Sequence, residues 1–269
     1  KFWTISFTPQ LSEVIQASDR TKSFIPLILK FLINDSRSSF SLFFVSSNFD
    51  QISIKSFEKK FHVKVTCIYN PFNNDFIISK LKNKKKLKFF KKNYLNIISV
   101  GRLTDQKDHL TLLKSIKLLK SEFKIKVIII GKGTTKKLLQ NYISDNKLKD
   151  KVKLLGYTNN PFPYIRKADI LILTSRFEGL PNILLEAQYL KKYIISTDCP
   201  TGPKEILLNG KAGDLIKVKD YKKLSLLINQ YHNRKKLINN KINIASKNFY
   251  RFNYELNCKK YLDFVNKNF

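Results

Sequence analysis

The chain has 269 residues, 43% of them hydrophobic, and carries 51 Lys and Arg against 20 Asp and Glu for a net charge of +31. That length and apolar content exclude a disordered or disulfide-stapled miniature protein and fit one large or two modest domains with a real core. The charge favours anionic partners (nucleotide diphosphates, nucleic acid, an anionic membrane), unless a lysine-rich coding bias merely spreads cations over the surface; composition leaves both open.

Cys67, Cys199 and Cys258 are far apart, without C-x-x-C spacing or a His/Cys cluster. This argues against a disulfide framework or zinc and for a reduced, cytosolic protein. The chain opens on Lys1 and has no methionine, so it reads as a fragment whose upstream segment is missing.

In chain order, FIPLILKFLI (24–33) is too short to span a bilayer and carries Pro26 and Lys30, so it reads as a buried helix. SLFFVSS (41–47) and VKVTCIYN (63–70) read as parallel strands of an incomplete α/β domain. The stretch 79–95 packs eight lysines between Lys80 and Lys92. It is either a solvated linker or, through Leu81, Leu87, Phe89 and Phe90, a basic and aromatic membrane contact.

From residue 96 apolar runs alternate with helical patterns. Strands are expected at 96–101, 126–131, 152–157, 169–174, 193–197 and 214–218. Helices are expected at 109–122, 136–148, 161–168, 181–191 and 203–209, with a helical pattern from Asp220 to Phe269. Runs of consecutive apolar residues suit strands buried on both faces, so the sequence predicts a doubly wound α/β domain with its ligand side at the strand C-termini.

Candidate site residues sit after those strands. Gly101 and Arg102 follow the first, with Lys107 near the next helix; a tight turn with two cations suits a diphosphate, although surface charge would look the same. GKGTTKK (131–137) puts Gly133 after the second strand but has neither the G-x-G-x-x-G nor the P-loop ending, so its glycines read as a turn close to a ligand. Tyr157 either walls a base or caps the sheet. SRFEGLPNILLEA holds Glu178 in a loop and Glu186 eight residues later in a helix. Two carboxylates there suit a hydroxyl-rich ligand such as a sugar or ribose.

SVGRLTDQKD, IIGKGTTKKLL, KVKLLGYTNNPFPYIRKADILILTSRFEGLPNILLEA and STDCPTGPKEIL, in this order, resemble retaining nucleotide-sugar-dependent glycosyltransferases of family 4 (group 1 type). The resemblance covers roughly residues 60 to 265. It implies the GT-B fold, two Rossmann-like domains of which the N-terminal one is incomplete. The implied division is 1–88 (partial acceptor-side domain and Lys-rich linker), 89–250 (nucleotide-sugar domain) and 251–269 (a helix packing back on the N-terminal domain).

By this resemblance Arg102 and Lys107 bind the donor diphosphate. Glu178 faces hydroxyls of the transferred sugar and Glu186 holds the ribose. Gly101, Gly133, Tyr157 and the loop Gly179, Leu180, Pro181 and Asn182 line the donor. Asp108 departs from the glycine common after the lysine. No acceptor-side histidine is carried over to His62, His109 or His232.

The implied activity is retaining transfer of a hexose or N-acetylhexosamine from a UDP- or GDP-sugar, with Arg102 and Lys107 stabilising the leaving diphosphate. The acceptor would be a saccharide or a polyprenyl-diphosphate-linked glycan in cell-surface polysaccharide or lipid-linked glycan synthesis, at the cytoplasmic face of the membrane. No cofactor is expected, and no metal, because no D-x-D triplet occurs. A sucrose- or starch-type synthase of the same fold, a basic nucleic-acid-binding protein and an inactive remnant are the competing readings. No nucleic-acid motif is present, so nucleic acid is not an expected partner.

Overall fold

The computed structural model describes residues 42–45, 59, 64–69, 72–82 and 88–268. The expected helix at 24–33 and the centre of the lysine run lie outside them. Upstream, β1 (Leu42–Val45) and β2 (Lys64–Cys67) pair in parallel as a two-stranded sheet. Helix α1 (Asn74–Leu81) follows, its first turn capped by the Asn73 side chain accepting from the Phe76 amide.

The main body is a six-stranded, all-parallel sheet: β3 (Leu95–Val100), β4 (Ile125–Ile130), β5 (Val152–Gly156), β6 (Ile170–Leu173), β7 (Tyr193–Thr197) and β8 (Asp214–Ile216). Between them run α2 (His109–Lys117), α3 (Lys136–Asp145), α4 (Phe162–Lys167), α5 (Asn182–Tyr189) and the short α6 (Pro203–Ile206). Helices α7 (Tyr221–Asn229), α8 (Lys235–Lys247) and α9 (Tyr254–Asn268) complete the chain.

The six strands match expectation to within two residues. The largest difference is α2, which stops at Lys117 instead of 122. Leu119 already bonds back only three residues, to Ile116, and the chain must reverse to enter β4 at Ile125.

Both faces of the sheet are covered, which is why its strands are apolar at consecutive positions. Ile97, Val127, Ile129, Ile170, Ile172 and Ile195 pack toward α2, α3 and α7. Ile98, Ile128, Ile130, Leu171, Leu173 and Ile194 pack on the other side against α1, α4 and α5. Edge strand β8 is pinned by Asp214, whose carboxylate takes Arg234 at 2.8 Å, Lys241 at 2.9 Å and the Tyr193 hydroxyl. Burial opposes the charge on Asp214, but these three partners outweigh it and hold the carboxyl below its usual range.

The strand order is β5-β4-β3-β6-β7-β8. The first strand of this sheet and the fourth are therefore neighbours, and their connections leave toward opposite faces. At that reversal the loops splay apart and open a crevice at the strand C-termini. The residues after β3 and β6 fill its walls.

Candidate functional site

The β3–α2 loop starts at Gly101 and carries Arg102, Gln106 and Lys107. Its backbone is fixed from below by the β4–α3 loop. Leu103 donates to Lys132 O at 2.9 Å, and Thr135 donates to Leu103 O at 3.0 Å. A Cβ on Gly131 would lie 1.9 Å from Gly101 O, and one on Gly133 would lie 2.2 Å from Leu103 O. These glycines permit two backbones to touch. Gly133 was expected to make a turn close to a ligand; the contact its missing side chain allows is with the protein's own Gly101–Leu103 turn.

The same turn is tied across the crevice to the β6–α5 loop. Gln106 O accepts from the Arg176 amide at 2.8 Å, and Gln106 Nε2 donates to Phe177 O at 3.1 Å. Lys107 folds its stem over Gly101, with Cδ 3.3 Å from where a Cβ would stand. Its ammonium meets Glu178 Oε1 at 2.5 Å, with 14% and 7% of the two side chains exposed. The same oxygen accepts from Ser175 Oγ at 2.5 Å. Thr201, on the β7–α6 loop, donates to the Glu178 carbonyl. A Cβ on Gly202 would lie 1.7 Å from Gly179 O, so that third loop is seated on the second as tightly as the β4 loop is on the first.

Arg102, Lys107 and Glu178 are thus brought together. Arg102 is exposed, and its guanidinium reaches Gln106 Oε1 at 3.2 Å. Gly179, Leu180, Pro181 and Asn182 form the turn into α5, which begins at Asn182 without a side-chain cap. Glu186 lies one turn further along α5, half-buried, and no hydrogen bond or ion pair among the described residues engages its carboxylate. Burial without a counter-ion pushes its pKa up from 4.5 to about 7. Tyr157, at the end of β5, is 69% exposed with the Lys132 ammonium 5.3 Å from its ring centre.

Asp108 sits in the left-handed region, φ 44° and ψ 49°. Glycine adopts that conformation freely and Asp is among the side chains that tolerate it, which explains why this position can depart from glycine. The carboxylate compensates by accepting from Thr111 Oγ1 at 2.9 Å and lying 3.5 Å from Arg176 Nε, adding another tie between the loops.

His109, which sequence reasoning set aside, is buried beneath the cation turn. Its Nδ1 lies 3.2 Å from Ser99 Oγ, and its Nε2 has no well-formed hydrogen bond among the described residues. Burial lowers its pKa from 6.5 to about 4, against the opposing influence of the Gly101 and Arg102 backbone, and Lys107 lowers it further. The ring is therefore neutral at pH 7 and packs under a cationic turn without adding charge. The only sequence signal was a histidine at the start of an amphipathic helix, where a polar exposed side chain is equally expected. Cys199, on the β7–α6 loop, is buried, and desolvation pushes its thiol up to about 11, which leaves it unreactive.

A doubly wound domain with a cation–carboxylate pair and a second carboxylate at its switch point has the form of an α/β ligand-binding domain. Residues 79–248 match the model of the glycosyl transferases group 1 family, and the chain belongs to that family. It is 41% identical over 124 residues to an uncharacterized glycosyltransferase of Methanocaldococcus jannaschii, a match covering 43% of this chain and 30% of that protein. It is 35% identical over 122 residues to an N-acetylgalactosamine-N,N'-diacetylbacillosaminyl-diphospho-undecaprenol 4-alpha-N-acetylgalactosaminyltransferase of Campylobacter jejuni, covering 45% of this chain and 33% of that one. The matched stretches span about a third of these relatives. Among solved structures, HepE of Anabaena in complex with UDP superposes with a TM-score of 0.69 at 19% identity, over 83% of this chain and 63% of that one. The fold is of the GT-B kind, with the six-stranded sheet as a Rossmann-like domain.

Two predictions follow from this geometry. Lys107→Ala leaves a buried carboxylate with no cation and should destabilise the fold by about 3 kcal/mol in denaturant titration. The double variant Lys107→Met/Glu178→Gln should recover most of that loss; additive losses would mean the pair is not coupled.

The second concerns acid stability. The unfolded chain takes a proton on His109 as pH falls from 6.5 to about 4 while the folded one does not, so His109 costs stability over that window. Glu186 acts oppositely, binding its proton earlier in the fold as pH falls from about 7 to 4.5. Relative to wild type, Glu186→Gln should lose about 3 kcal/mol more on going from pH 7 to pH 4. His109→Asn should shift the slope in the other direction. Parallel pH profiles for all three proteins would refute both assignments.

Proposed function

We propose that the complete protein is a retaining glycosyltransferase of family 4 that transfers a hexose or N-acetylhexosamine from a UDP- or GDP-sugar. The acceptor is a saccharide or a polyprenyl-diphosphate-linked glycan, in cell-surface polysaccharide or lipid-linked glycan synthesis on the cytoplasmic side of the membrane. Support comes from the family membership and from the similar protein of Campylobacter jejuni, whose name states a diphospho-undecaprenol-linked substrate. HepE of Anabaena, of like fold, is titled as a complex with UDP. The proposed domain division is the one drawn from the sequence: 1–88, 89–250 and 251–269.

The observation that carries the reading is the division of labour between two carboxylates at the switch point. Glu178 is held by Lys107 and Ser175, whereas Glu186 has no partner among the described residues. In a chain of net charge +31, a half-buried carboxylate left without a cation is suited to hydroxyl donors. A ribose supplies two. Glu178 then accepts from a sugar hydroxyl while keeping Lys107 aimed at the diphosphate, and Arg102 swings from Gln106 onto the phosphates.

In the transfer, the bond between the anomeric carbon and the diphosphate oxygen breaks, the acceptor oxygen forms its bond on the same face, and the acceptor hydroxyl passes its proton to the departing diphosphate oxygen. Negative charge grows on the departing diphosphate. Fixed cations there stabilise the transition state more than the ground state, and each such donor is worth about 3–4 kcal/mol. Neither carboxylate has to move a proton, and no metal or cofactor is required.

Arg102 is exposed, so Arg102→Ala should leave folding intact and lower turnover of the full-length enzyme about a hundredfold. The assay measures transfer from UDP- and GDP-sugars in buffer containing EDTA. An unchanged rate would remove Arg102 from the reaction, and loss of wild-type activity in EDTA would overturn the metal-free reading.

Glu186 predicts a pH-dependent affinity. Its carboxylate forms as pH rises through about 7, and an ionised oxygen accepts hydroxyls more strongly than a protonated one. Calorimetric titration with the donor sugar should give up to about tenfold tighter binding at pH 8 than at pH 6. Glu186→Gln should bind more weakly with a flat profile. A wild-type profile retained in that variant would mean Glu186 is a surface carboxylate.

A further inference from the structure

A second surface lies along the sheet edge, outside the crevice. We propose that the face built by α1, residues 88–94 and the N-terminal ends of β4 and β5 docks on an anionic lipid bilayer. Helix α1 buries Ile77 but leaves Phe76 51% and Ile78 47% exposed. The Lys80 ammonium lies 5.4 Å from the centre of the Phe76 ring. Lower on the same face, Lys126 sits over Phe89 at 5.2 Å and over Tyr94 at 5.6 Å. Lys153 sits over Phe89 at 5.9 Å, and Lys91 over Tyr94 at 5.5 Å.

These groups share one side of the molecule, because Ile77, Phe90, Ile128 and Phe162 belong to a single apolar cluster with Leu81 and Phe89 at its margin. From residue 59 to residue 104 the chain holds a single acidic residue, Asp75 in the first turn of α1. Among the described residues, none of Lys80, Lys82, Lys88, Lys91, Lys126 and Lys153 is in an ion pair. The result is a cationic strip with apolar side chains exposed at one end.

Ammonium groups held over aromatic rings set cationic charge directly on apolar surface, the combination that suits a lipid-headgroup interface, and the Lys126 ammonium also donates to Asp150 O. Nucleic acid is a poorer occupant. Bases need bare aromatic faces to stack on, and here Phe89 and Tyr94 are roofed by ammonium groups, while Phe76 and Ile78 offer apolar insertion that phosphates do not use. The strip starts beside the crevice, since Asn160 in the loop after β5 donates to Lys80 O at 2.8 Å. Docking there would bring the donor end of the sheet near lipid-linked molecules in the same membrane. The docking itself does not depend on the transferase reading.

The test is sedimentation of the full chain with unilamellar vesicles, phosphatidylcholine alone or with about 30% phosphatidylglycerol, in about 0.1 M salt. Binding should require the anionic lipid. Lys80→Glu/Lys82→Glu/Lys88→Glu should weaken it about a hundredfold. The control Lys222→Glu/Lys223→Glu/Lys236→Glu, on the helices packed against the other face, should change it by less than about threefold. Equal losses in both triples, equal binding to neutral vesicles, or tighter binding to single-stranded RNA of about 20 bases would each overturn the proposal. Should the first triple fail to fold, amine acetylation of the wild-type chain decides: vesicles must protect Lys80, Lys82 and Lys88 and leave Lys222 and Lys223 reactive. A donor titration on the same samples tests the crevice separately, so failure of one reading does not imply failure of the other.

Discussion

The buried contact between Lys107 and Glu178 is the interaction around which the crevice is organised. Each charge alone would be expensive to desolvate, and together they are tolerable only because the geometry is close and the neighbours supply hydrogen bonds. That requirement propagates outward. The β3 and β6 loops must be in register, which Gln106 and the Arg176 amide secure, and both loops must rest on rigid neighbours. The glycines at 131, 133 and 202 meet the second demand by letting backbone lie on backbone where any side chain would collide.

The two glutamates of the E-x7-E pair occupy different electrostatic worlds although they stand on one loop-helix unit. One is neutralised by a cation and a hydroxyl; the other is desolvated without compensation and sits near its midpoint at neutral pH. Such an unpaired carboxylate is a standing cost in stability that a hydroxyl-bearing ligand can relieve. His109 is its counterpart beneath the cation turn, a ring kept neutral by burial so that no further positive charge crowds Arg102 and Lys107. Each costs stability over its own pH range, His109 as pH falls below 6.5 and Glu186 as pH rises above 4.5.

Much of the fold was legible in the residues. Runs such as VIII in β4 and ILIL in β6 read as strands covered on both sides, and the helical pattern from Asp220 onward is borne out by α7, α8 and α9, whereas α1 was not expected. The end of α2 was less legible, because Leu118 and Leu119 continue the apolar pattern after the backbone has left the helix. Of the candidate site, Gly101, Arg102, Lys107, Glu178 and Glu186 were proposed from the sequence, and the structure brings Lys107 and Glu178 into contact. The purpose of Gly131 and Gly133 was not, since a glycine pair reads the same whether it faces a ligand or another loop. Asp108 read as a departure from pattern, and its left-handed backbone with a paired carboxylate explains how the change is accommodated.

The sequence by itself determined the parallel α/β architecture and the family, and it supplied candidates for the crevice, because hydrophobic runs and local motifs are written in neighbouring positions. The tertiary structure alone decided which charges are spent on one another. Lys107 and Glu178 lie 71 positions apart and meet only because the strand order makes β3 and β6 neighbours. The same folding buries Glu186 and His109 without a charged partner, and pairing and desolvation depend on distances in space that no local pattern encodes.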